Sequence, residues 1–174
     1  PEQLAAEVGA QILRQGGNAI DAAVATGFAL AVTYPRAGNL AGGGFMLIHL
    51  ADDDRETLID YRETAPAAAS RDMFLDDEGN LDKQREYFSL QSAGVPGTVA
   101  GMLYALEKYG TLTREQAIAP DIALATDGIH VSYRLFFASR ASAHNLHKKP
   151  AAGGEYFRPD GWACAVGDNW RQPE

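Results

Sequence analysis

The segment Asp60-Tyr61-Arg62-Glu63-Thr64-Ala65-Pro66 has the clearest chemical potential in this chain. Arg62 closes a stretch with strand composition, and Pro66, which has no N–H to give to a ladder, ends it. An arginine so placed is held with its guanidinium at the end of a sheet. Guanidinium is planar and always charged, and its rigid fork fits a carboxylate with two hydrogen bonds. The chemistry implied is recognition of a carboxylate. The competing reading is a local ion pair between Arg62 and Asp60 or Glu63, and the residue pattern leaves both open.

Other reactive residue types lack the company that chemistry needs. There is no G-x-S-x-G elbow and no G-x-x-x-x-G-K-[ST] phosphate loop. Gly42-Gly43-Gly44 precedes a strand and lacks the Lys-Ser/Thr that grips phosphate, so it reads as a place of close backbone packing. His144 and His147 are three apart and could share a helix face. No carboxylate or cysteine completes a metal set there, and Lys148 and Lys149 would repel a cation. His49 and His130 are single residues and read as structural. Cys164, between Ala163 and Ala165, reads as a small buried hydrophobe. Asp52-Asp53-Asp54 and Asp76-Asp77-Glu78 adjoin turn signals and lack the late Glu of an EF-hand, so they read as solvated turns. The residues alone therefore offer no catalytic residue and no metal site.

The elements that must position Arg62 follow from periodicity. Leu4, Val8 and Ile12 recur every four residues, which predicts an amphipathic helix stopped by Gly16-Gly17. Asn18 caps a second, alanine-rich helix, with Asp21 near the positive end of its dipole. Pro35 follows that helix. Residues 45–50 have the composition of a buried strand, and 56–62 read as its antiparallel partner across an acidic turn. Residues 79–97 read as irregular. Thr98 is expected to cap a helix to Tyr109. The capping box Thr113-Arg114-Glu115-Gln116 opens another to about Thr126, and Ser132 caps a last one to about His144. Helices, a hairpin and more helices make an α+β or layered α/β plan.

The chain has 174 residues, 46% of them apolar, and a formal charge of −8. Residues 52–86 hold 12 acids and 5 bases, so most of the charge is local. An apolar fraction of this size excludes wholesale disorder. A pI near 4.9 excludes a generic nucleic-acid binder. One cysteine cannot form an internal disulfide. The longest apolar stretch, 19–32, falls short of the ~20 residues a membrane helix needs and reads as a buried helix. The length suits one domain. Yet the chain opens on Pro1 and closes on Gln172-Pro173-Glu174, so residues 1–174 are expected to be a portion of a longer protein.

Five motifs, in order, resemble the γ-glutamyltranspeptidases. Gln15-Gly16-Gly17-Asn18-Ala19-Ile20-Asp21-Ala22-Ala23-Val24-Ala25 is similar to the family's opening helices. The run from Pro35 to Met46 resembles its glycine-rich turn and first strand, and Asp60 to Pro66 its arginine motif. Arg71-Asp72-Met73-Phe74-Leu75 and Gly94-Val95-Pro96-Gly97-Thr98-Val99-Ala100-Gly101 follow, and Lys108-Tyr109-Gly110-Thr111 fits too.

That resemblance implies an N-terminal nucleophile hydrolase with an αββα sandwich, of which 1–174 is the first part of the large subunit and an incomplete domain. It implies a precursor that cuts itself into two subunits. The small subunit's new N-terminal threonine is then the nucleophile, with its own amine as general base. The implied partners are that small subunit, the rest of the large subunit and γ-glutamyl small molecules such as glutathione; no cofactor and no nucleic acid are implied. The implied compartment is periplasmic, secreted or membrane-anchored. Arg62 matches the family arginine that holds the α-carboxylate of the γ-glutamyl group, and Glu63 lies beside it. None of Thr26, Thr33, Thr57, Thr64, Thr98, Thr111, Thr113 or Thr126 lies in a context resembling the processing site, so no catalytic residue is expected here. The alternatives are a related acylase, such as a cephalosporin acylase or a capsule-processing transpeptidase, and a truncated, non-catalytic chain. Ala41 departs from the family's usual fourth glycine. Similarity fades from about Arg134 to Trp162.

Overall fold

A computed structural model describes residues 2–146, 157–158 and 161–172. The chain divides into two compact units, residues 40–102 and the residues on either side of them.

In the flanking unit, α1 (Gln3–Arg14) buries Val8 and Ile12 of the predicted stripe together with Ala5, while Leu4 is half-buried. The Glu2 carboxylate caps it by accepting the Ala5 N–H at 2.8 Å. The chain then turns at Gly16, whose φ of +93° suits only glycine without strain. Asn18 caps α2 (Ala19–Thr33), its Oδ1 accepting the N–H groups of Ile20 and Asp21, while Asp21 accepts the Asn18 N–H in return. The two helices pack closely because their contact is made of small residues: a Cβ at Gly9 would collide with the Thr26 hydroxyl.

Asp21 does more than close that capping box. It is fully buried and accepts the Thr111 N–H, the Thr111 hydroxyl at 2.7 Å and the Leu112 N–H at 3.1 Å. Burial pushes its carboxyl upward, but the Thr111 hydroxyl and these backbone donors outweigh that and hold it below the ordinary value. One carboxylate thus ties the start of α2 to a turn ninety residues later in the chain.

That turn leads into α5 (Arg114–Asp127), opened by the expected Thr113–Gln116 capping box. Between α2 and that turn the chain forms α3 (Lys83–Phe88) and α4 (Thr98–Tyr109). After α5, β3 (Ile129–His130) pairs antiparallel with β4 (Asn169–Trp170). Ile129, Val131 and Trp170 form a buried cluster with Leu4, Leu124, Leu135, Phe136 and Cys164 against it. The last helix, α6 (Tyr133–Leu146), is capped by Ser132, whose Oγ accepts the Leu135 N–H.

The 40–102 unit is built on the hairpin of β1 (Phe45–Leu50) and β2 (Arg55–Asp60). The register pairs Phe45 with Asp60 and Leu47 with Leu58. Ile48 is buried on one face, and Leu47 and Leu58 are exposed on the other.

Three expectations are corrected. The second strand ends at Asp60, so Arg62 lies beyond it. Residues 79–97 are not irregular throughout, because Asp82 accepts the N–H groups of Gln84 and Arg85 and starts α3. Thr98 is the first residue of α4 and not its cap, since the Gly101 N–H already bonds the Gly97 carbonyl at 2.8 Å.

Candidate functional site

The backbone ladder of the hairpin continues one step past its strands. The Tyr61 N–H donates to the Gly44 carbonyl at 3.0 Å, and the Gly44 N–H returns a longer bond at 3.4 Å. Three residues on, Thr64 and Val95 exchange bonds of 3.4 and 2.9 Å. Residues 61–64 are therefore held by the glycine-rich turn at one end and by residues 94–97 at the other.

The glycines make this possible by what they lack. Gly97 and Gly101 lie four apart at the start of α4, hence on one face. A Cβ at Gly101 would enter the Tyr61 ring, and one at Gly97 would strike the Tyr61 carbonyl. Gly44 lies under the same ring, and a side chain at Gly43 would collide with the Tyr61 carbonyl and the Glu63 carboxylate. The Gly42 carbonyl accepts the N–H groups of Gly97 and Thr98 at 2.8 and 2.9 Å, meeting the positive end of α4. Close backbone packing is thus the role of Gly42-Gly43-Gly44.

Tyr61 is the residue that sequence reasoning passed over. Its signal was present in the four-residue spacing of Gly97 and Gly101, but only the fold shows which side chain fills the space. With Tyr61 clamped, the next residue is placed within narrow limits.

That residue, Arg62, is exposed. Its backbone N–H donates to Asp60 Oδ1 at 3.0 Å. Among the described residues its guanidinium forms no ion pair: the bridges lie elsewhere, at Arg55–Asp53, Arg71–Asp72, Arg85–Asp82 and Arg158–Asp168. The local pair with Asp60 or Glu63 is absent. Asp60 serves the Arg62 main chain, and the Glu63 carboxylate lies against Gly43.

The remaining candidates stay apart from this segment in the chain's own bonding. His49 comes within 4.0 Å of Asp54 at the exposed hairpin turn. His130 Nδ1 is 3.3 Å from the Gly167 carbonyl. Cys164 is partly buried; burial and then the Asp168 charge push its thiol up, away from nucleophile character. Asp76 forms a turn by accepting the N–H groups of Glu78 and Asn80. His147, Lys148, Lys149 and the side chain of His144 lie outside the described residues.

The sequence model of the family described as "Gamma-glutamyltranspeptidase" matches residues 5–174. The chain belongs to the γ-glutamyltranspeptidase family. It is 46% identical over 173 residues to the glutathione hydrolase proenzyme of Pseudomonas sp. (strain A14), covering 99% of this chain and 30% of that protein. It is 56% identical over 128 residues to the Escherichia coli (strain K12) glutathione hydrolase proenzyme, covering 74% of this chain and 22% of that one. The crystal structure of Helicobacter pylori γ-glutamyltranspeptidase superposes with a TM-score of 0.93 at 44% identity, over 97% of this chain and 48% of that one. The likeness extends to cephalosporin acylase from Bacillus halodurans, with a TM-score of 0.78 at 28% identity over 98% of this chain and 32% of that one. The fold is accordingly the α+β fold of the N-terminal nucleophile hydrolases. The chain spans about a third or less of the curated relatives and about half of the H. pylori chain.

Several threonines of the chain have structural tasks. Thr26 and Thr33 hydroxyls donate back to the carbonyls of Ala22 and Ala29 at 2.7 and 3.0 Å. Thr111 is spent on Asp21, and Thr113 caps α5.

Proposed function

We propose that residues 1–174 are the N-terminal portion of a γ-glutamyl hydrolase or transpeptidase, and that Arg62 holds the α-carboxylate of its γ-glutamyl donor. The observation that carries this reading is a guanidinium on a clamped backbone with no carboxylate of the described chain paired to it. An unpaired fork of this kind binds a substrate carboxylate without first breaking an internal ion pair.

In this reading the chain contributes binding and orientation only. The nucleophile is a threonine at the N-terminus of a second subunit, made by self-cleavage of a longer precursor, and its α-amino group is the general base. The γ-glutamyl group passes from glutathione or a related amide to that threonine, then to water or an amino acid. Residues 1–174 form an incomplete domain and are inactive alone.

A second reading, an acylase with a different acyl group, draws support from the likeness to cephalosporin acylase. An arginine that reads an amino-acid carboxylate favours the γ-glutamyl donor, as does the higher identity to the glutathione hydrolase proenzymes. Assay of the full-length protein on a γ-glutamyl anilide and on a glutaryl amide separates them. The γ-glutamyl reading expects turnover of the first, dependent on Arg62; preference for the second overturns it.

A further inference from the structure

The flanking unit carries a groove of about 780 Å³, within the size range of small-molecule sites. It runs between the Tyr34-Pro35-Arg36 turn that follows α2 and the stretch of α6 from Tyr133 to Ser142. Arg36 and Arg134 both line it, and among the described residues no Asp or Glu does. Among the described residues neither arginine forms an ion pair or a hydrogen bond through its side chain. An adjoining recess of about 360 Å³, lined by the same two arginines, adds Glu2, one oxygen of which caps α1.

The rest of the lining is mixed. Leu135, Phe137 and Ala138 supply an apolar wall, and Tyr34 and Tyr133 supply hydroxyls. Ser132 satisfies the N–H groups of Leu135 and Phe136, and those of Tyr133 and Arg134 have no partner among the described residues. The positive end of a fourteen-residue helix thus adds to the two guanidiniums.

We infer that this groove is a binding site for a small organic dicarboxylate, separate from Arg62. Two guanidiniums on different elements give each carboxylate its own fork. The apolar wall takes the carbon chain between them. A compact inorganic anion would use the charges and leave that wall wet. The inference does not rest on the γ-glutamyl reading, because no residue of the 40–102 unit takes part.

The test is calorimetric titration of the full-length protein carrying Arg62→Gln, which removes the other proposed carboxylate site. Glutarate is the probe, with inorganic phosphate as the second arm. Saturable glutarate binding is expected, weakened at least tenfold by Arg36→Gln and by Arg134→Gln and less by the lysine variants. Both arginines are exposed, and an unchanged melting temperature verifies folding. No saturable binding, or binding indifferent to both arginines, overturns the inference. Equal binding of phosphate overturns the assignment to an organic dicarboxylate, and so does an acidic residue of the protein's own remainder filling the groove.

Discussion

Asp60 Oδ1 accepts the backbone N–H of Arg62 at 3.0 Å, and no Asp60 bond to the Arg62 guanidinium accompanies it. An acid two residues earlier therefore fixes where the arginine starts and leaves its charge available. Asp60 is by this geometry a positioning residue. Asp60→Ala in the full-length protein is expected to raise the donor KM about fivefold, the value of roughly one hydrogen bond, with kcat little changed. Asp60→Asn keeps an acceptor oxygen and should restore most of the loss. Equal damage from both variants would show that Asp60 acts through its charge.

Tyr61 against Gly101 gives a prediction that runs against helix propensity. In an exposed helix, alanine for glycine gains about 1 kcal/mol. Here the added methyl enters the Tyr61 ring. Overpacking of that kind costs about 1–3 kcal/mol. Gly101→Ala should lower the melting temperature of the full-length protein and raise the donor KM together, because the clamp that sets Arg62 is displaced. A stability gain would contradict the described packing.

The two buried aspartates of the flanking unit should impose opposite pH dependences. Asp21 is held low by its donors, so its stabilisation is present above the ordinary carboxylate pKa and is lost as pH falls through the lowered one. Asp21→Ala leaves the Asn18, Thr111 and Leu112 donors unsatisfied and should cost about 3 kcal/mol at neutral pH. Denaturant unfolding of the full-length protein at pH 7 measures it, and a loss near zero would contradict the role.

Asp121, on α5 beside Pro120, is 5% exposed, and among the described residues neither carboxylate oxygen has a hydrogen-bond partner. Burial raises its pKa to about 7 from 3.8. The folded state then holds a proton that the unfolded state releases, so stability falls as pH rises from about 4 to about 7 and levels off above. The full difference is roughly 4 kcal/mol. Asp121→Ala should stabilise the protein at pH 8, with the gain shrinking toward pH 4. A gain independent of pH would mean that Asp121 ionises freely in the folded protein.

Local signals were legible in the sequence. The stripe of Leu4, Val8 and Ile12, the cap at Asn18 and the box at Thr113 each encode an element within a few residues, and each is found. The hairpin was legible because two runs of strand composition flank an acidic turn. Long-range pairings were not. Trp170 meets Ile129 across forty residues, and a two-residue strand carries no periodicity of its own. The bonds from Asp21 to Thr111 join points that only the fold brings together. Helix α3 was missed because its six residues are too few for a pattern, although Asp82 is a strong cap. At the candidate site the arginine was visible as a residue type. The choice between local pair and free guanidinium needed the positions of Asp60 and Glu63.

The most direct measurement is the donor KM of the full-length protein with Arg62→Gln, using a γ-glutamyl anilide. Loss of a desolvated carboxylate pair costs about 2–5 kcal/mol, so the KM should rise roughly 30-fold or more. Arg62→Lys, which keeps the charge without the fork, should recover only part of it. An unchanged KM in Arg62→Gln would contradict the assignment of Arg62 to the substrate carboxylate.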